Sequence, residues 1–244
     1  WPDVSKEWLN YLQTIINHCK DLGAEKSGKM TVQNGVPLRK GMGSSTALVV
    51  AVARCFFGDD CREQALKIED CVNPGHSGTD FNVIWEDAPI LFRKNEGYEL
   101  IALPSDLLKE ACLIDTGTPN ETTPELVAWV REREDELRPH LQTIGNCTER
   151  LEKLGTRMSS RAPSRDEARQ TFIKIIHDHH QAQVALGVVP QEVQKLIREI
   201  EESGGAAKVL GAGARTGGGG MVLALGIDED FLSKQEFTYS SLAL

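Results

Sequence analysis

Pro37-Leu38-Arg39-Lys40-Gly41-Met42-Gly43-Ser44-Ser45-Thr46-Ala47 is the stretch on which the reading of this chain turns. Its glycines lead into an apolar, alanine-containing segment, Thr46 to Phe57, whose length and composition favour a buried helix over a strand. The first N–H groups of a helix have no partner within it, and the helix dipole adds partial positive charge there. Glycines next to such an end let phosphate oxygens approach the backbone. Gly41, Gly43, Ser44, Ser45 and Thr46 are therefore expected to hold an anionic phosphate, with the serine hydroxyls as extra donors or a magnesium ligand. The pattern is neither Gly-Lys-Ser/Thr of a Walker A loop nor the G-x-G-x-x-G dinucleotide fingerprint. A helix simply capped by Ser44 or Ser45, with nothing bound, is the alternative that these residues leave open.

Upstream, Trp8, Leu9, Leu12, Ile15, Ile16 and Cys19 recur at helical spacing, so Val4 to Cys19 is expected to be an amphipathic helix. Lys29 to Gln33 reads as a short strand. Downstream, a helix over Arg62 to Val72 ends at Asn73-Pro74-Gly75, three breakers in a row. Strand-like runs follow at Phe81–Trp85, Ile90–Arg93 and Tyr98–Leu103, with Asn95-Glu96-Gly97 as a hairpin turn. Asp80 is expected at the start of the first of these strands, held by the turn from Asn73, with Glu69 one helical segment before it. A phosphotransferase needs an acid to hold magnesium and often a second to orient or deprotonate the attacking hydroxyl. The pair has the chemistry for both roles, although an Asp after a Pro-Gly turn also serves simply to stabilise the turn.

After a short strand at Ala111–Asp115 the texture becomes more polar. Helices are expected over Thr123 to Lys153, broken near Pro139, over Asp166 to Leu186 after punctuation at Pro163 to Arg165, and over Gln191 to Glu202. Strands at Ala207–Leu210 and Met221–Leu225 flank Gly211-Ala212-Gly213-Ala214-Arg215-Thr216-Gly217-Gly218-Gly219-Gly220. So many glycines cost entropy on ordering, which points to close backbone approach by a ligand; a disordered connector is the alternative. The change of texture puts a domain boundary between residues 107 and 108, giving units 1–107 and 108–244. Helices and strands are interspersed without strict βαβ alternation, so the fold class is α+β.

A net charge of −9 argues against a general nucleic-acid binder, whose affinity comes from clustered Lys and Arg. No stretch approaches the ~20 apolar residues of a membrane span, and Trp1 to Lys6 do not read as a secretory signal. Six cysteines without a C-x-x-C pair read mostly as reduced core thiols, which fits a cytoplasmic location. His177 and His180 share a helix face but lack a third ligand, so they read as ordinary helix residues. The run Arg131 to Glu136 reads as a solvated helix face, and Trp8, Trp85 and Trp129 as packing residues.

In order and spacing, the three motifs resemble those of the GHMP kinases, which include galactokinases and homoserine, mevalonate and phosphomevalonate kinases. The family's P-x-G-x-G-L-G-S-S-A is matched by Pro37 to Ala47, with Arg39 in place of one glycine. Its K-x-T-G-A-G-G-G-G is matched from Lys208, with Leu210 in place of the threonine and Ala214-Arg215-Thr216 inserted before the last glycines. The resemblance is strongest to mevalonate kinases: Glu69 and Asp80 keep a separation of ten residues, and Ser77-Gly78-Thr79-Asp80 keeps the S-G-x-D end of a H-G-x-P-S-G-x-D turn. Asn73 to His76 depart from it. Leu113 to Gly117 followed by Thr122 resembles the family's strand and substrate-side threonine. His180 with Leu186-Gly187-Val188 resembles its N-H-x-L-L-x-x-L-G-V helix.

This resemblance implies a βαβ-type first domain, incomplete at its start because the family's initial strand region and its lysine are not in this sequence, and a ferredoxin-like second domain, with ATP in the cleft between them. It implies magnesium on Ser45 and Glu69, Asp80 as the residue that activates the acceptor hydroxyl, and His76, Gly78, Thr122, Gly211, Ala212 and Gly213 on the substrate side. The implied activity is ATP-dependent phosphorylation of a small alcohol, with mevalonate to 5-phosphomevalonate, a step of isoprenoid precursor synthesis, as the first candidate. Another GHMP kinase acting on phosphomevalonate or a sugar is the second reading, and a silent nucleotide-binding sensor the third. The sequence leaves the oligomeric state open, a homodimer included.

Overall fold

The apolar periodicity around the glycine turn builds a helical layer. A computed structural model describes residues 6–160, 164–234 and 236–242. Its contacts divide the chain into two units, residues 1–38 with 43–100, and residues 39–42 with 101–244.

In the first unit, α1 (Lys6–Asp21), α2 (Ser44–Phe57), α3 (Arg62–Val72) and α4 (Thr79–Glu86) surround one apolar core. Ile15, Cys19, Val49, Ala53, Ala65 and Ile68 are fully enclosed there. The expected beginning of α1 at Val4 lies outside the described residues. β1 (Ile90–Arg93) and β2 (Gly97–Leu100) form an antiparallel hairpin, with Asn95 at φ 70° in its turn. Of the βαβ layer that the resemblance implies, the described residues of this unit hold helices and this hairpin, with no parallel strand pair.

Two strand expectations fail in this unit. Phe81–Trp85 is not a strand but the body of α4. The alternation of Phe81, Val83 and Trp85 imitates a strand, yet Phe81 and Trp85 stack one helical turn apart, with centroids 6.0 Å apart. Asp80 is thus in the first turn of a helix rather than at the start of a strand. Lys29–Gln33 forms no strand either. Met30 and Val32 turn inward onto the core, so the alternation records which side is buried, whereas a strand needs a partner for its N–H and C=O groups.

In the second unit, α5 (Ser105–Leu108) precedes β3 (Cys112–Asp115), followed by α6 (Thr123–Arg131), α7 (Glu134–Ser160), α8 (Arg165–Ala185) and α9 (Gln191–Glu202). β4 (Ala206–Val209), β5 (Met221–Leu225), α10 (Glu229–Leu232) and β6 (Thr238–Ser241) complete it. The sheet order is β4-β5-β3-β6, antiparallel throughout. With helices after the first strand and before the last, this is the β-α-β-β-α-β plan of a ferredoxin-like layer, and the fold is α+β. α9 covers one sheet face through Val193, Leu196, Ile197 and Ile200, and α8 packs Ala168, Phe172, Ile175 and Ile176 beside Ala206 and Leu225. The long helix breaks after Arg131, not near Pro139, which sits in the second turn of α7. Pro163 lies outside the described residues.

Candidate active site

The chemistry-bearing residues of the first unit gather where α2 and α4 begin and α3 ends. Gly43 is the N-cap of α2, with φ 64° and ψ 22° and no side chain capping the helix. That left-handed conformation suits glycine and strains any other residue. It leaves the amides of the first turn without the serine cap that the sequence allowed. Ser44 and Thr46 are buried, and Ser45 is half-buried. A Cβ on Gly43 would lie 3.5 Å from Asp80 Cγ, so the Asp80 carboxyl stands against this helix end.

Glu69, in the last turn of α3, is 1% exposed. Thr46 Oγ1 donates to its Oε1 at 2.8 Å, while its Oε2 is buried without a hydrogen-bond partner. Burial pushes its pKa up; the Thr46 hydroxyl, the Asn73 side chain and nearby His76 oppose that rise, and Asp80 adds to it. Asp80 is exposed as a residue, yet partial burial of its carboxyl also raises its pKa, again opposed by His76. His76 Nε2 is 2.8 Å from Asp70 Oδ1. Gly78, at φ 92°, caps α4, and Ser77 Oγ accepts from the Thr79 N–H at 3.2 Å.

An orphaned buried carboxylate oxygen near a second carboxylate is a donor set suited to a hard divalent cation. Among the described residues no three His, Cys, Asp or Glu side chains form a complete metal cage. Magnesium needs none, since it is commonly held by one or two carboxylates together with substrate phosphates and water. The residues present therefore fit that ion.

One residue of this cluster, Tyr11, went unnoticed in the sequence, and Asn73 was noticed there only as part of its turn. Tyr11 Oη accepts from Asn73 Nδ2 at 2.8 Å. Burial, then the charge of Glu69, push the Tyr11 phenol up to about 12, with the Asn73 amide and the Ser45 hydroxyl acting against them. The available signal was the place of Tyr11 on the stripe of Trp8 and Ile15, where a phenol must find a polar partner.

The remaining expected residues lie in the second unit. Gly41 touches the backbone of the Gly211 loop: a Cβ on Gly41 would come within 2.9 Å of the Leu210 carbonyl oxygen, and one on Gly211 within 2.8 Å of Gly41 Cα. Beside it, Lys40 Nζ donates to Asp115 Oδ1 at 2.7 Å, and the Met221 N–H donates to the Lys40 carbonyl. Ala212 packs against the core of Leu126, Leu137, Leu186 and Val188. A Cβ on Gly213 would meet the Val188 carbonyl oxygen at 2.2 Å. Thr122 caps α6 in a capping box, its Oγ1 donating to Glu125 Oε2 at 2.7 Å. The hydroxyl of this threonine, expected on the substrate side, is engaged in that cap.

The glycine-dense loop is stitched to residues 116–121. Thr116 Oγ1 donates to the Gly220 carbonyl at 2.8 Å, and Pro119 bridges Gly217. The Glu121 carboxylate accepts from Arg215 N, Thr216 N and Thr216 Oγ1, while the Arg215 guanidinium lies 4.7 Å from the centre of the Trp129 ring. The close backbone approach that the glycines promised is made, in each of these cases, by the chain itself.

Residues 10–82 match the family described as GHMP kinases N terminal domain. A comparison with curated proteins finds no match. Among solved structures, the chain resembles the Methanococcus jannaschii mevalonate kinase at 20% identity and a TM-score of 0.64, covering 94% of this chain and 73% of that one. A second mevalonate kinase structure gives 21% identity and a TM-score of 0.65, over 94% and 74% of the two chains. A homoserine kinase from Cytophaga hutchinsonii gives 12% identity and a TM-score of 0.60, again over 94% and 74%. At these identities the likeness establishes a shared fold.

Proposed function

We propose, from the premise that residues 10–82 are a GHMP kinase N-terminal domain, that this protein is an ATP-dependent phosphotransferase acting on a small alcohol. Mevalonate is the first candidate acceptor, which would place the protein in isoprenoid precursor synthesis. The observation that carries this reading is the buried, unpartnered Glu69 Oε2 near Asp80, at the uncapped start of α2.

In this reading the amides and hydroxyls of Ser44, Ser45 and Thr46 receive phosphate oxygens, helped by the dipole of α2. Ser45 and the free oxygen of Glu69 would hold magnesium, which when bound would supply positive charge to offset that of the phosphates. Thr46 fixes the Glu69 carboxylate by occupying its other oxygen. Asp80 orients the acceptor hydroxyl and takes its proton. The alcohol oxygen forms a bond to the terminal phosphorus, the bond from that phosphorus to the ADP oxygen breaks, and the proton passes through Asp80 to water. The raised pKa of Asp80 makes its carboxylate a better base than an ordinary one. His76 and Gly78, in the turn that carries Asp80, are proposed to line the acceptor side.

A different acceptor is the second reading, favoured by the altered turn Asn73 to His76 and by the fold shared with a homoserine kinase. A coupled ADP-release assay with mevalonate, homoserine, phosphomevalonate and sugars separates the two. ADP release with mevalonate above all others is expected. Release with another alcohol replaces the acceptor and keeps the reaction. Nucleotide binding without release for any alcohol overturns the enzyme reading in favour of a sensor.

A further inference from the structure

We infer that Tyr11 is a positioning residue for the acidic turn, holding Glu69 in place through the carboxamide of Asn73. The inference rests on the proposed role of Glu69 as a magnesium-holding carboxylate.

Asn73 is tied at three points. Its backbone N–H donates to the Glu69 carbonyl at 2.8 Å, closing α3. Its carbonyl accepts from the His76 N–H at 3.1 Å, opening the turn that leads to Asp80. Its side-chain amide donates to Tyr11 Oη at 2.8 Å, across 62 residues of sequence. The first two bonds are local, and the third alone ties this residue to a distant helix. The Tyr11 ring is itself oriented by Trp8, edge-on at 5.6 Å and 80°.

Magnitudes separate a local role from a general structural one. α1 is anchored by Ile15 and Cys19, both wholly buried, and a buried aliphatic side chain contributes about 1.5–3 kcal/mol. One hydrogen bond contributes about 1 kcal/mol net. The phenol oxygen is thus a minor part of what holds α1 to the fold, whereas the Glu69 carboxylate is oriented by the Thr46 hydroxyl with the Asn73 carboxamide as a second polar neighbour. Removing that oxygen frees the Asn73 side chain beside the end of α3 from which Glu69 projects, and takes a polar neighbour from Ser45, while the two backbone bonds of Asn73 and the packing of the ring remain.

The test is calorimetric titration of ADP, with and without magnesium, into the parent protein, Tyr11→Phe, Asn73→Ala and the double variant, with urea midpoints measured alongside. Tyr11→Phe is expected to weaken magnesium-ADP binding about tenfold and metal-free ADP binding by clearly less, since without metal only the Ser45 neighbour of the phenol is affected. The double variant is expected to lose less than the sum of the two single losses, because both single variants remove the same Tyr11–Asn73 bond. Equal losses with and without metal, additive losses in the double variant, parent-like binding by Tyr11→Phe, or a variant that does not fold each overturn the inference and leave the kinase reading standing. A parent protein that binds no ADP in either condition removes the kinase reading, and the inference with it.

Discussion

Two glycine-rich stretches of this chain look alike on paper and use glycine in opposite ways. At Gly43 the residue takes a left-handed conformation that ends the turn and leaves the first amides of α2 uncapped. From Gly211 to Gly220 the missing side chains are filled by other parts of the backbone, at Gly41, Gly117 and Val188. The first arrangement keeps donors available, and the second consumes space. Gly41 belongs with the second, although in sequence it stands two residues from Gly43. Glycine density therefore marks close approach without saying what approaches. A helix start without a cap, facing carboxylates with unused capacity, is the more specific sign of a ligand.

The largest expected effect tests this contrast directly. A Cβ on Gly218 would sit 2.3 Å from Gly117 C and 2.5 Å from the carbonyl oxygens of Gly117 and Thr116. Gly218→Ala should lose about 3 kcal/mol of unfolding free energy, since backbone cannot yield as a side-chain tip can. Gly43→Ala meets only Ile84 and Asp80 side chains at 3.4 Å and beyond, and should lose about 1–2 kcal/mol for its positive φ while weakening nucleotide binding. Urea unfolding with parallel nucleotide titration measures both. If the two variants lose stability equally, the contrast between the stretches collapses.

Next in size is Asp80→Asn, which keeps the shape of the side chain and cannot take a proton. Turnover should fall about a hundredfold, the ordinary scale for loss of a general base, with nucleotide affinity little changed. Parent-like turnover would reduce Asp80 to a turn residue of α4 and leave the α2 end as a binding site only.

The smallest effect sharpens the picture of the carboxylates. Burial raises the pKa of Glu69 above its ordinary value, so the folded state binds more protons than the unfolded state in the interval between the two values. The contribution of Glu69 to stability should therefore be greatest below the ordinary carboxylate range and decline as pH rises through the raised folded value. Glu69→Gln should flatten part of that decline, and added magnesium should oppose it in the parent. The difference in unfolding free energy between the parent and Glu69→Gln, measured across pH, checks the sign; a difference that grows in favour of the parent as pH rises over this interval contradicts it.

The sequence alone determined a good part of this protein. Helical periodicity carried α2, α3 and α9 to within a residue or two at each end, because a repeat of 3.6 residues is written directly in where the apolar side chains fall. That Gly43, Glu69 and Asp80 belong together could likewise be picked out from residue type and spacing, and the fold brings them near one another. Phe81–Trp85 was not: alternation and i, i+4 stacking use the same residues, and only the packing of Phe81 in the core chooses between them. Tertiary structure also decided that Thr122 spends its hydroxyl on a helix cap and that the loop from Gly211 is filled by its own chain. It alone joined Tyr11 to Asn73 across 62 residues. The physical reason is common to all three. Local sequence sets propensity and reach, whereas the partner that satisfies a polar group or fills a gap is fixed only when distant segments meet.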